Sequence, residues 1–292
     1  MPARFCLLGN RWLICPIFIL LAVCLPAAPA SPPHAIVTLI AEQRSIQPRH
    51  KFWAGLHFQL EKHWHIYWIN PGDSGEPPRV AWDLPQGFRA GPIAWPAPHR
   101  LENPPLVDYG YEDDVLLMAP LDPPSRLSAG HTAELRATVK WLICSNICVP
   151  EQKQVALSLP IEDDPPENDS RWRQLFDQAR AQMPRRMPSG WSATALSEAG
   201  HFILSVKTGT QESAAAFFPL APLQIENAAP QQVTLGSGAV RLTLQKSDQL
   251  LKPIAFLKGV LILGDRKAIA INAPVASRGN SGKSLSERKR RQ

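Results

Sequence analysis

Cys144 and Cys148, four positions apart in the stretch WLICSNICVPE (Trp141 to Glu151), are the residues of this chain best suited to chemistry. A thiol pair this close can form a disulfide, open by attack of an external thiolate, and close again through a mixed disulfide. Upstream, ATVKWLI (Ala137 to Ile143) is β-branched and aromatic, and downstream Gln154 to Leu159 alternates polar and apolar residues. Both are strand signatures, so the cysteines fall where two strands turn back on each other, with Ser145-Asn146-Ile147 as the turn. A hairpin connection of that length brings its flanking Cα atoms to about 5.5 Å, where a disulfide closes without backbone distortion. The alternative role is a structural staple. Closing a loop of about five residues stabilises by only ~2 kcal/mol in the chain-entropy model, against nearly 5 for a loop of about a hundred. Such a bridge is a weak staple, local enough to open while its domain stays folded. No Lys, Arg or His flanks the pair closely enough to single out one thiol of lowered pKa, so the flanking residues leave open which cysteine attacks.

His57, His63 and His65 raise the question of a metal. His63 and His65 are two apart in HWHIYWINPGDSGEPP and can chelate from one strand face, but no carboxylate or thiol stands at a recognisable ligand spacing beside them. Packed or hydrogen-bonding histidines are expected, with no metal and no cofactor.

The elements that position these residues are short strands. His63, His65, Tyr67 and Ile69 alternate with Trp64, Ile66 and Trp68, which predicts a strand covered on both faces before Asn70-Pro71-Gly72-Asp73 turns the chain. Further strands are expected at 35–40, 51–60, 115–119 and 134–143, with edge segments at 81–84 and 93–95 between prolines, while VDYGYE (107–112) reads as a loop. Strands at this spacing predict a β-sandwich ending near Pro160. EDDPPENDS (162–170) is acidic, proline-bearing and poor in apolar residues, as a linker is. Arg171 to Met183 then reads as a helix, N-capped by Ser170, with Trp172, Leu175, Phe176 and Ala179 on one face. Strands resume at 202–206, 215–220, 232–235, 239–244, 259–263 and 268–271, with no cysteine and no phosphate-binding Gly-rich loop among them. The expected fold class is all-β: two β-sandwich domains with one helix near the start of the second.

With 292 residues, 45% hydrophobic and 19% charged, the chain is long enough for two real cores and too apolar for disorder. The first thirty residues read as an export signal: Arg4 and Arg11, an apolar run from Trp12 to Leu25, and Ala28-Pro29-Ala30 before Ser31. The run is shorter than the ~20 residues of a membrane span, and Val23 before Cys24 departs from a lipoprotein signal. Cleavage near Ser31 would remove Cys6, Cys15 and Cys24 and leave one even pair in an oxidising compartment. The formal charge of +6 does not point to nucleic acid. It belongs to the two signal arginines and to a tail in which Arg278, Lys283, Arg288, Lys289, Arg290 and Arg291 face only Glu287, leaving the folded part near neutral. The organisation expected is a signal peptide (1–30), a first sandwich with the cysteine pair (31–161), a linker (162–170), a second sandwich (171–276) and a disordered basic tail (277–292).

HWHIYWINPGDSGEPP, LPQGFRAGPIAWPAPHRL, VDYGYEDDVLL and WLICSNICVPE occur in the order in which they stand in the N-terminal periplasmic region of the thiol:disulfide interchange protein DsbD, and the chain resembles that family, above all its two-domain ScsB (suppressor of copper sensitivity) relatives. Beyond the linker, AFFPLAPLQIENAAPQQV and LKGVLIL resemble the second domain of the same relatives, so the resemblance spans about residues 35 to 275. It implies immunoglobulin-like sandwiches and a protein-disulfide reductase component. Its cysteine pair would take electrons from a membrane-embedded thiol donor and pass them to periplasmic thioredoxin-like or disulfide-isomerase proteins. Cys144 and Cys148 match the redox pair, with Cys148 the attacker by analogy, and Tyr109 and Tyr111 lie in the segment that matches the cap loop shielding it. Two departures stand out: a three-residue cysteine spacing, as in the ScsB-like branch, and no multi-span membrane domain after the second β domain, which implies either a donor on a separate protein or a lost activity. The rival expectation is an exported binding module, holding copper or a protein partner, with the disulfide as scaffold.

Overall fold

The computed structural model describes residues 33–264 and 267–277. The expected signal peptide, and the expected tail beyond Ser277, lie outside the described residues. No helix among them is long and apolar enough to cross a membrane.

The first half folds as two facing sheets. One has the order β1 (Ala35–Ala41), β2 (Phe52–Leu60), β8 (Asp114–Asp122), β5 (Arg89–Ala90). The other runs β10 (Cys148–Pro160), β9 (Thr132–Cys144), β3 (His65–Gly72), β7 (Leu106–Glu112), β6 (His99–Asn103), with β4 (Arg79–Asp83) also paired to β9. Period-2 alternation sets the inner face: along β9, Ala133, Leu135, Ala137, Val139, Trp141 and Ile143 are buried while intervening residues are more open. They meet Leu56, Phe58 and Leu117 of the opposite sheet in one core, where Trp141 stands edge-on to Phe58 with centroids 5.5 Å apart. Burying each large apolar side chain of this kind contributes roughly 1.5–3 kcal/mol.

Two local expectations are corrected. VDYGYE is no loop: it is most of β7, hydrogen-bonded between β3 and β6. Asp108 and Gly110 break the apolar pattern there for separate reasons. Asp108 is buried but satisfied by Ser74, and Gly110 lets β3 approach, since a Cβ at this position would lie 2.1 Å from the Ile66 carbonyl oxygen. His63 does not share a strand face with His65; it lies in the turn before β3 at φ 69°.

The helix, α1 (Arg173–Gln182), begins after Trp172 without a side-chain cap, and Asp169 rather than Ser170 accepts the backbone N–H of Arg171, at 3.0 Å. Its apolar face, Phe176 and Ala179 with Trp172 and Leu175, packs on Ile40, Leu116 and Met118 of the first sandwich, and Arg180 pairs with Glu42. The remaining strands are β11 (Arg185–Arg186), β12 (Ser192–Glu198), β13 (His201–Lys207), β14 (Ala215–Pro219), β15 (Gln232–Gly236), β16 (Ala239–Gln245), β17 (Phe256–Leu263) and β18 (Lys267–Ser277). β18 pairs antiparallel with β17 over most of its length and parallel with β12 at Val275 to Ser277, so one strand joins the two layers. Between those layers lies a second core built on Phe202, Leu204, Phe217, Leu242, Leu261 and Ile271. Among the described residues the fold is all-β apart from α1, in immunoglobulin-like sandwiches as expected.

The halves share a buried seam. Phe218 and Val260 of the second join the core of the first, with Tyr109 edge-on to Phe218 at 5.0 Å. Asn70, fully buried, donates from Nδ2 to the Pro219 carbonyl at 2.7 Å.

Candidate functional site

Cys144 and Cys148 form a disulfide at the mouth of the β9–β10 hairpin, as directly opposed partners with Cα atoms 4.1 Å apart. The two cysteines differ in exposure. Cys144 is 2% exposed, whereas Cys148 is exposed and Ile147 beside it is 64% exposed.

Strand register places the pair on the outer face of its sheet. Ile143 opposes Ile66, which opposes Tyr111, and all three point into the core. One residue on, Cys144 opposes His65, which opposes Glu112, so these side chains face away from the core, and Tyr67 follows two residues after His65 on the same side. The outer face is nevertheless covered here: Tyr67 is fully buried and His65 is 9% exposed.

The cover is the segment after β3. Tyr67 places its hydroxyl 3.8 Å from Cys148 Sγ and 3.5 Å from Ser74 Oγ. Ser74 is fixed from below, its backbone N–H and its hydroxyl each donating to Asp108 at 2.9 Å. With the serine proton spent on Asp108, Ser74 Oγ faces Tyr67 as an acceptor and the phenol is the donor. Burial pushes the Tyr67 pKa up, so the phenol keeps its one proton, for which Ser74 Oγ and Cys148 Sγ are alternative acceptors. Gly75, at φ 75°, lies flat on the Tyr67 ring. When Cys148 becomes a thiolate, the same hydroxyl is in place to stabilise it, since a hydrogen bond to the charged form favours that form.

Tyr109 and Tyr111, expected over the disulfide, are not there. Both point into the core from β7, on the face opposite the sulfurs, with hydroxyls donating to Asn227 Oδ1 (2.9 Å) and to the Pro96 carbonyl (2.7 Å). Burial raises the pKa of both phenols. The residues that sequence reasoning missed are Tyr67, Ser74, Gly75 and Asp108. The alternation around Tyr67 in HWHIYWIN was a usable signal, whereas Asp108 carried none.

His57 donates or accepts at 2.5 Å with Asp114 Oδ1 on the far sheet, and His65 stands edge-on to Tyr67 at 5.3 Å. Among the described residues, no group of three His, Cys, Asp or Glu is placed to hold a metal ion. Two cavities flank the pair on the outer face. One of about 800 Å³ is lined by Lys62, His63, His65, Arg100, Glu112 and Asn146; the other, of about 440 Å³, by Pro77, Arg79, Trp141, Leu142 and Pro150. An exposed Cys148 can receive a partner's thiolate, and a buried Cys144 opposite it can act as leaving group and resolver.

Residues 37–160 match the model of the family described as thiol:disulfide interchange protein DsbD, N-terminal. Among solved structures, the N-terminal periplasmic domain of ScsB from Proteus mirabilis superposes with a TM-score of 0.64 at 18% identity, over 86% of this chain and 96% of that chain. A protein of unknown function from Porphyromonas gingivalis W83 aligns over 84% of this chain and 99% of that chain, at 11% identity and a TM-score of only 0.26. No curated protein sequence matches. The stretch 37–160, which carries Cys144 and Cys148, thus matches the DsbD N-terminal domain in sequence, and the fold is that of the ScsB N-terminal periplasmic domain.

Proposed function

We propose that the Cys144–Cys148 pair is a redox relay of the periplasm, taking electrons from a membrane-embedded thiol donor and passing them to thioredoxin-like or disulfide-isomerase proteins. The observation that carries this is the asymmetry of the pair: an exposed Cys148 over a buried Cys144, at a hairpin mouth and outside the hydrophobic core. A scaffold disulfide has no need of one accessible sulfur with a phenol beside it. In the inward half-reaction, the donor's thiolate attacks Cys148 Sγ, Cys144 leaves as thiolate, and the donor's second thiol releases the reduced pair. In the outward half, Cys148 attacks the acceptor's disulfide and Cys144 resolves the mixed disulfide.

The test is a trap in the native envelope. A Cys144→Ser variant keeps the exposed thiol and lacks the resolver, so it is expected to accumulate mixed disulfides through Cys148 with a membrane thiol protein and with thioredoxin-like acceptors. Should the variant capture nothing, while the wild-type pair stays fully oxidised in the cell, the relay is wrong.

A further inference from the structure

The outward half-reaction makes a demand that the disulfide alone does not meet. Cys144 is the buried member of the pair, and a thiol in apolar surroundings holds its proton more tightly than a free one. To resolve a mixed disulfide on Cys148 it must be ionised at the moment of attack.

The side chain directly across the strands from Cys144 is His65. Opposed residues of an antiparallel pair keep their Cβ atoms within about 4.5–5.5 Å on one face, so the imidazole and the sulfur branch from neighbouring positions on the outer side of the sheet. His65 Nε2 is buried and has no hydrogen-bond partner. A buried polar atom without a partner is destabilising, and its place on the residue across from a reactive cysteine points to a functional role. The ring also lines the 800 Å³ cavity next to the Ser145-Asn146 turn, which gives a proton a way out.

Resting on the relay proposed above, we propose that His65 is the general base of the resolving step, taking the proton of the Cys144 thiol as that sulfur attacks Cys148 Sγ. The Cys144–Cys148 bond forms and the bond from Cys148 to the acceptor's sulfur breaks. The acceptor leaves as a thiolate with the electron pair, and the proton on the imidazolium passes to it or to water in the cavity. The pair loses two electrons and the acceptor's disulfide gains them.

The surroundings favour this direction of transfer. Desolvation holds the His65 pKa below the ordinary histidine value, so the ring is neutral and able to accept near pH 7. Asp108 and Glu112 on β7 work in the opposite sense and stabilise the imidazolium once it forms. Lys62 and His63 from the preceding turn, Arg100 and Glu102 of β6 and the Tyr67 ring complete the polar groups around it.

The reaction of the reduced full-length protein with an aromatic disulfide reagent separates the two steps. The first equivalent of released thiolate reports attack by Cys148; the second reports resolution by Cys144. His65→Phe, with His65→Gln as the polar variant should Phe fail to fold, is expected to slow the second release at pH 7 by about tenfold or more, toward the lower end of general-base effects. The first release should be unchanged. The gap should close only as pH rises well above about 8.5, the value of a free thiol, because burial holds the Cys144 proton more tightly. Equal slowing of both releases, or an unchanged second release, overturns the assignment. A wild-type protein that releases one equivalent and never a second overturns the relay itself, and the two failures are thereby distinguishable.

Discussion

Replacing Cys148 by serine is expected to abolish disulfide exchange, and replacing Cys144 to arrest it half-way. The asymmetry follows from burial: the thiol left in Cys148→Ser is 2% exposed and meets no partner, while the thiol left in Cys144→Ser is exposed with the Tyr67 hydroxyl beside it. Measured as reduction of a small disulfide substrate, Cys148→Ser should fall to the uncatalysed background. Cys144→Ser should consume one equivalent at the wild-type rate and stop as a stable mixed disulfide. Equal residual activity in the two variants would mean that the sulfurs are interchangeable and that burial does not set the order of attack.

The second large effect is expected at Gly75. A Cβ there would fall 2.1–2.3 Å from Tyr67 ring carbons, and the φ of 75° is one that a non-glycine residue adopts only at a cost. Backbone strain of about 1–2 kcal/mol adds to the displacement of either the ring or the Ser74 segment. Losing a hydrogen bond to the buried Asp108 carboxylate costs about 1.5–3 kcal/mol more. Gly75→Ala should therefore destabilise by about 3 kcal/mol, a fall in Tm of roughly 5–10 °C for a body of this size. It should also raise the pH at which reduced Cys148 becomes reactive, because the hydroxyl that stabilises its thiolate moves away. Tyr67→Phe keeps the ring and removes the hydroxyl, so it should reproduce the reactivity change with little loss of Tm. An unaltered pH profile in both variants would show that the phenol does not act on Cys148.

Tyr67 and Tyr109 show how much of this site was legible in the sequence. The hairpin was, because ATVKWLI and QVALSL carry the two-residue period of strands and the cysteines sit at its break. The face parity of His65 and Tyr67 against Ile66 and Trp68 was legible for the same reason, and it holds in β3. What parity in one strand cannot supply is the register to the next, and that register decides which face of β7 looks at the sulfurs. Asp108 and Gly110 hid β7 as a strand, since both weaken its apolar alternation and both are explained only by distant partners, Ser74 and the Ile66 carbonyl. The place of α1 was hidden likewise. Its amphipathic face was readable, but the surface it covers belongs to strands more than fifty residues earlier.

Asn227 was the least legible residue. Buried in the second half, it accepts from the Tyr109 hydroxyl at 2.9 Å and donates to Asp73 Oδ1 at 2.8 Å, while Arg100 donates to its backbone carbonyl at 2.6 Å. Asp73 precedes Ser74, so the second sandwich buttresses the segment that covers Tyr67 beside Cys148. No sequence pattern links positions 154 residues apart. Tyr109 is thus tied to the site through the seam between the sandwiches, not by lying over the sulfurs.

The central claim, that Cys144–Cys148 is an exchanging pair and not a scaffold, is tested most directly by equilibrating the protein in a series of thiol/disulfide buffers and counting free thiols, with the fold followed in parallel by near-ultraviolet circular dichroism. A relay predicts a reversible two-electron transition within the range of glutathione buffers and an unchanged near-ultraviolet spectrum, because the bridge closes only a short turn outside the core. A pair that stays oxidised below roughly −300 mV, where structural disulfides of exported proteins lie, or that opens only as the tertiary spectrum collapses, would contradict it.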